Sequence, residues 1–269
     1  MSSLSISTAW DETKVILARE GKLLATVALA LIVFPQTVFA VIGAPVGPDA
    51  SSLSVITYFV VIILGCAAQI ALNRLAIGPA VTVGSAIAVG FRRVASVAVV
   101  GFLVAFGVVF VAVILLLILG ALHLITMPTP GQTPPPSLLL LLMVLVIPVF
   151  ATFQLVFPIA AVETGNPLKM IRRAWTLSQH NHLRLTAFVA IIILGFALVV
   201  LATQAGLGSL LVLALGQPNP GSVSALAFGV LSGTVQASFT VVTAIMIARI
   251  YTQLAGRHDA QVGVPSSGI

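Results

Sequence analysis

Few side chains in this chain can do covalent or metal chemistry: six Asp and Glu, four His and one Cys among 269 residues. Hydrolysis on a metal ion needs carboxylates and imidazoles converging on it, yet Asp11, Glu12, Glu20, Asp49, Glu163 and Asp259 are dispersed along the whole length. His180 and His182 are two positions apart, which on a helix sends them to divergent faces rather than the shared face of an i, i+4 pair. The Gly-x-Ser-x-Gly nucleophile elbow and the Walker phosphate loop are both missing. The residues therefore predict a protein that is not an enzyme, with no catalytic group, no metal and no cofactor.

Amides and cations are the chemistry that remains. Gln36, Gln69, Gln154, Gln204 and Gln236 fall in apolar stretches, where amides either hydrogen-bond between helices or line a polar path through a helical bundle. Glu163 lies close in sequence to Lys169, Arg172 and Arg173, with Trp175 just beyond. If the intervening segment folds back, Glu163 can pair with one of these cations. Cations beside an aromatic anchor at a membrane interface suit anionic lipid head groups, and Arg92 and Arg93 after Phe91 offer a second such group.

Composition says which elements must position these residues. Hydrophobic residues make up 59% of the chain and charged residues 7%, against about 25% charged in an ordinary soluble domain, and mean hydropathy is +1.21. A soluble globular enzyme is excluded, as are disordered and coiled-coil chains. An all-α polytopic membrane protein remains. Residues 94–162 and 185–248 hold no charged side chain, and each run is broken once by a Pro/Gly-rich stretch, at 127–136 and 216–222. A similar stretch at 43–52 divides the first quarter. A span needs about 20 residues, so six are expected, near 23–42, 53–72, 97–119, 138–162, 185–207 and 223–247. The first apolar run exceeds the roughly 7 to 15 residues of a signal-peptide core and follows Asp11, Glu12 and Glu20, so it is expected to be retained.

All 12 Lys and Arg fall on one side of this layout: Lys14, Arg19 and Lys22; Arg74, Arg92 and Arg93; Lys169, Arg172, Arg173 and Arg184; Arg249 and Arg257. Short basic loops stay in the cytoplasm, so both termini are expected there. The same rule, together with attraction to anionic lipid, explains the isoelectric point near 10.5 without nucleic acid. The single Cys66 forms no intramolecular disulfide and reads as a small apolar residue within a span.

The chain reads as one domain of three hairpins, each a basic segment, a span, a Pro/Gly-rich turn and a returning span. Residues 1–22 form an N-terminal cytoplasmic helix with Thr8 and Asp11 as its capping pair, 23–255 the bundle, and 256–269 a flexible tail. Interfacial helices are expected near 78–93 and 166–180. In the second, Asn166 caps and Pro167 starts the helix, setting Leu168, Ile171 and Trp175 on one face and Lys169, Arg172, Arg173 and Thr176 on the other. Ala225, Gly229, Gly233 and Ala237 recur every four residues and predict close packing, against another span or a second protomer. Pro35, Pro148 and Pro158 predict kinks.

The stretch Phe157-Pro-Ile-Ala-Ala-Val-Glu-Thr-Gly-Asn-Pro-Leu-Lys-Met-Ile-Arg-Arg-Ala-Trp175 resembles the corresponding segment of the bacterial YciC-like proteins and of the membrane domain of glycerophosphoryl diester phosphodiesterases. Ala248-Arg-Ile-Tyr-Thr-Gln-Leu254 is similar to the end of that family's last span, while Gln179-His-Asn-His182 departs from its Gly-aromatic pattern. The resemblance implies a bacterial inner-membrane helical protein without the catalytic phosphodiesterase domain. With the residues above, it sets two expectations: a non-enzymatic lipid-binding protein or scaffold in envelope and lipid homeostasis, contacting anionic head groups or a membrane-protein partner, or a transporter or channel for a lipid-like or small neutral solute through the glutamine-lined bundle.

Overall fold

A long uncharged stretch without water can satisfy its backbone only as a helix, and helices are what these stretches form. The structure, a computed structural model, describes residues 5–42, 52–78, 81–122, 136–163 and 165–262, without the side chains of residues 136, 137, 139 and 257–262. Six helical segments are long and apolar enough to cross a membrane: Ile6–Ile42, Ser52–Ile77, Val83–Ala121, Leu140–Val162, His182–Leu215 and Val223–Gly256. The protein is an all-α polytopic membrane protein, and no strand occurs among the described residues. The turns at 43–51 and 127–135, with Asp49, lie outside the described residues, as do residues 263–269.

The first span combines α1 (Ile6–Ala28), a π-helical turn (Leu29–Val33) and α2 (Phe34–Ile42). Pro35 cannot donate a backbone hydrogen bond, and the π-helical turn just before it is where the ladder changes step. The N-terminal segment is therefore no separate surface helix. It runs unbroken into the span and buries Ala9, Thr13 and Ile16. Its cap is also not the expected pair: Ser5 Oγ accepts from Thr8 N–H at 3.2 Å, while Asp11 pairs with Lys14 at 2.8 Å.

The expected interfacial helix at 78–93 is likewise absorbed. Thr82 caps α4 (Val83–Ala121), accepting from Ser85 N–H at 3.3 Å. With no proline in its 39 residues, α4 has nothing to stop it. At 1.5 Å per residue it is about 58 Å long, well over the roughly 30 Å of hydrocarbon, so Arg92 and Arg93 ride on an extension of the third span. The fourth span breaks at Leu155 between α5 (Pro136–Gln154) and α6 (Val156–Val162). Pro158 cannot donate to the carbonyl four residues back, which belongs to Gln154, so the break stands where the proline requires it. Pro148 stays within α5, where its carbonyl accepts from Thr152 Oγ1 at 3.1 Å.

After α7 (Pro167–Ser178), α8 (His182–Thr203) continues through a second π-helical turn, Gln204–Gly208, into α9 (Ser209–Leu215). The last helix, α10 (Val223–Val262), includes the first residues of the stretch read as tail.

Packing across the hairpins outweighs packing within them. α3 (Ser52–Ile77) lies along α4, and α10 lies along the first span and α3. Gly90 sets the α3–α4 distance, since a Cβ there would meet the Ala67 carbonyl oxygen at 2.5 Å. The small-residue ridge of α10 packs within the chain: a Cβ on Gly229 would lie 2.8 Å from Thr37 Cα and Ala40 Cβ, and one on Gly233 would lie 3.2 Å from Val33 backbone. Ala225 and Ala237 on the same ridge are buried.

The charged ends converge at one end of the bundle. Gln253 and Ser5 exchange two hydrogen bonds, Ser5 N–H to Oε1 at 3.3 Å and Nε2 to the Ser5 carbonyl at 3.4 Å. Arg249 Nη2 donates to the Ala76 carbonyl at 2.7 Å, and its Nε lies 3.9 Å from Glu12.

Candidate functional site

Helix α7 is built to lie against this basic end. Asn166 has the extended backbone of an N-cap and Pro167 starts the helix as expected, but the Asn166 side chain makes no capping bond. Three faces result rather than two. Met170, Ala174 and Leu177 recur by four and three residues and are buried against the bundle, with Ser178 beside them. Leu168 and Trp175 stay 71% and 54% exposed, Ile171 is half-buried, and Lys169 and Arg172 point outward.

The third face holds the latch. Glu163, at the C-cap of α6, accepts from Arg173 Nε at 3.2 Å and from Tyr251 O–H on α10 at 2.7 Å. One carboxylate thus ties α6, α7 and α10 together, and Arg173 is the cation it takes. Its neighbours Lys169 and Arg172 are left on the open arc of the helix beside Leu168 and Trp175. A salt bridge at this exposure is worth little alone; the second donor and the buried Met170–Ala174–Leu177 face make the docking firm.

Trp175 is itself held. Its ring lies 5.2 Å from that of His182, tilted by 58°, and its carbonyl accepts from Ser178 Oγ at 3.0 Å. Beside it, a groove of about 320 Å³ lies between α4 and α5, walled by Val104, Val108, Val149 and Phe153, with Trp175 and Ile171 from α7 in its lining. Thr152 is the one polar side chain in the lining, and its hydroxyl is satisfied within α5. A second apolar groove of about 300 Å³ shares Val104, Val108, Val149 and Phe153.

Arg92 and Arg93 do not line the groove. They lie about 17 Å back along α4 from Val104 at 1.5 Å per residue, Arg92 exposed and Arg93 half-buried. The five glutamines also separate. Gln36 Nε2 donates to Gln236 Oε1 at 3.3 Å, and Gln204 and Gln236 line one cleft between α8 and α10. Gln69 and the buried Gln154 are not among its lining residues. Among the described residues, no three His, Cys, Asp or Glu side chains come together.

Comparison with protein-family models, curated proteins and solved structures finds no match to this chain. Sequence periodicity missed two parts of the site. Tyr251 lies 88 positions from Glu163, with no spacing to link the two, and the α4–α5 groove depends on how α4, α5 and α7 pack together.

Proposed function

We propose that this protein is a non-enzymatic membrane protein that binds an anionic phospholipid, one acyl chain in the α4–α5 groove and the head group at Lys169 and Arg172. The observation that carries this reading is the end of the groove, where an apolar lining meets the exposed Trp175 and two outward cations, Lys169 and Arg172, stand on the same helix. Tryptophan and basic side chains prefer that level of a membrane, and each cation near an anionic surface contributes about 1 kcal/mol. The resemblance of residues 157–175 to the YciC-like proteins supports placing it in a bacterial inner membrane, in envelope or lipid homeostasis. Transport along the five glutamines is the weaker reading, since only three of them converge.

Native mass spectrometry of the protein extracted with its own lipid tests the assignment. Wild type should retain an anionic phospholipid, and Lys169→Ala/Arg172→Ala should bind it about thirtyfold more weakly, two cations at about 1 kcal/mol each. Equal retention by the double variant would remove the head-group site.

Positive-inside retention supports a cytoplasmic basic end, with both termini on that side. In a Cys66→Ala background, an impermeant maleimide added to intact cells should label Gln217→Cys and spare His180→Cys; both positions are exposed in the structure. The opposite pattern would invert the topology.

A further inference from the structure

The π-helical turn Gln204–Gly208 sits beside a cleft between α8 and α10 of about 290 Å³, lined by Phe196, Thr203, Gln204, Phe228, Ser232 and Gln236 among others. Gln236 is 13 residues from Val223 at one end of the span and 13 from Arg249 near the other, which puts it at mid-membrane. Its Oε1 already accepts from Gln36, so it offers the cleft its NH2 group. Among the described residues the Gln204 side chain has no hydrogen-bond partner, and both side-chain amides are exposed. Ser232 Oγ is committed to the Gly229 carbonyl at 3.3 Å. Exposed amide donors at this depth have no water to satisfy them. No cation or carboxylate lines the cleft, which disfavours an ionic ligand, while Phe196 and Phe228 supply aromatic walls. A small set of convergent polar groups in an apolar pocket is the usual form of a ligand site, and π-helical turns within α-helices frequently occur at such sites.

We infer that this cleft binds an uncharged, lipid-soluble molecule through a carbonyl oxygen, which accepts from the Gln204 and Gln236 amides while the adjoining apolar body lies against Phe196 and Phe228. Two membrane sources carry that chemistry: the ring of a quinone and the ester carbonyls of a diacylglycerol. The site is independent of the groove at α7, from which it shares no lining residue.

The test is native mass spectrometry of the full chain with decylubiquinone and, separately, with dioleoylglycerol. Adduct with the first alone assigns the quinone source, with the second alone the glycerol ester, and with both a carbonyl site indifferent to the ring. Gln204→Leu, at an exposed and unpartnered position, should keep the wild-type unfolding midpoint and weaken the adduct at least tenfold, and Gln204→Leu/Gln236→Leu should abolish it. Lys169→Ala/Arg172→Ala should bind these probes as wild type does, so loss of the head-group site and loss of this one are separable. Failure of both probes to bind wild type, or undiminished binding to the double glutamine variant, would overturn the inference. So would a wild-type dimer that takes up neither probe and dissociates on the double substitution, since the amides would then serve a second copy of the chain.

Discussion

Replacing Gly90 by alanine should lower the unfolding midpoint of the detergent-solubilised protein by several degrees, although alanine is the better helix former. In a helix interior the exchange normally gains about 1 kcal/mol. Here the new Cβ would stand 2.5 Å from the Ala67 carbonyl oxygen, with the Ala67 carbonyl carbon at 3.2 Å and Cα at 3.4 Å. All three atoms are backbone, so no rotamer change relieves the contact and α3 and α4 must move apart along their shared face. Overpacking of this kind costs about 1–3 kcal/mol or more, and the loss of close helix approach in the membrane adds to it. Gly84, on the same helix with nothing within 4 Å of its would-be Cβ, is the control. Gly84→Ala should leave the midpoint unchanged or raise it slightly. The spacings also rank the α10 ridge, with Gly229→Ala, at 2.8 Å, costing more than Gly233→Ala, at 3.2 Å. Matching midpoints for the Gly90 and Gly84 variants would mean that the α3–α4 seam is looser than the structure has it.

Gly90 also marks where sequence reading stops. Number, order and approximate limits of the spans follow from charge gaps and Pro/Gly breaks, because the hydrocarbon layer dictates both helix length and the absence of charge. The α10 ridge was legible because Ala225, Gly229, Gly233 and Ala237 repeat at four residues and write a stripe. Gly90 stands alone before Phe91-Arg92-Arg93, and only the register of α4 against Ala67 gives it meaning. Helix ends at the basic side failed for a related reason. Charge does not stop a helix once it leaves the membrane, so α1 and α4 run on through their basic segments to the capping side chains of Ser5 and Thr82. In α7 the two-face reading treated Arg172 and Arg173 as equivalent. Their 100° separation around the helix turns one outward and the other onto Glu163, a distinction decided by the docking of Met170, Ala174 and Leu177. A pairing between Glu163 and a nearby cation was foreseeable from their proximity in sequence; the choice of Arg173 and the second donor, Tyr251, were not.

That carboxylate carries the other large expected effect. Glu163→Ala should loosen α7 on the bundle while leaving the six spans in place. It removes a charge-assisted bond to Arg173 and a bond from Tyr251 to the same oxygen. Hydrogen bonds to charged groups contribute about 1.5–3 kcal/mol each, and the partial exposure of Glu163 and Arg173, at 35% and 25% of their side chains, puts this pair near the lower end. A local loss of about 1.4 kcal/mol is a factor of ten in the opening equilibrium. Amide exchange across Pro167–Ser178 should therefore quicken about tenfold or more, with the amides around Ile245–Ile250 of α10 unchanged, because local opening of α7 does not require the spans to separate. Tyr251→Phe should give a smaller change in the same segment, having removed one bond from a neutral donor. In a Trp10→Phe background, Trp175 emission should shift to the red as the ring leaves His182 and the groove end. Glu163→Gln is the informative intermediate: it keeps an acceptor for Tyr251 and Arg173 but no charge, so exchange between wild type and alanine rates assigns the remainder to the ion pair. If α7 exchanges at the wild-type rate in Glu163→Ala, then the buried Met170, Ala174 and Leu177 face holds the helix unaided, and the latch has no part in presenting Lys169 and Arg172 to lipid.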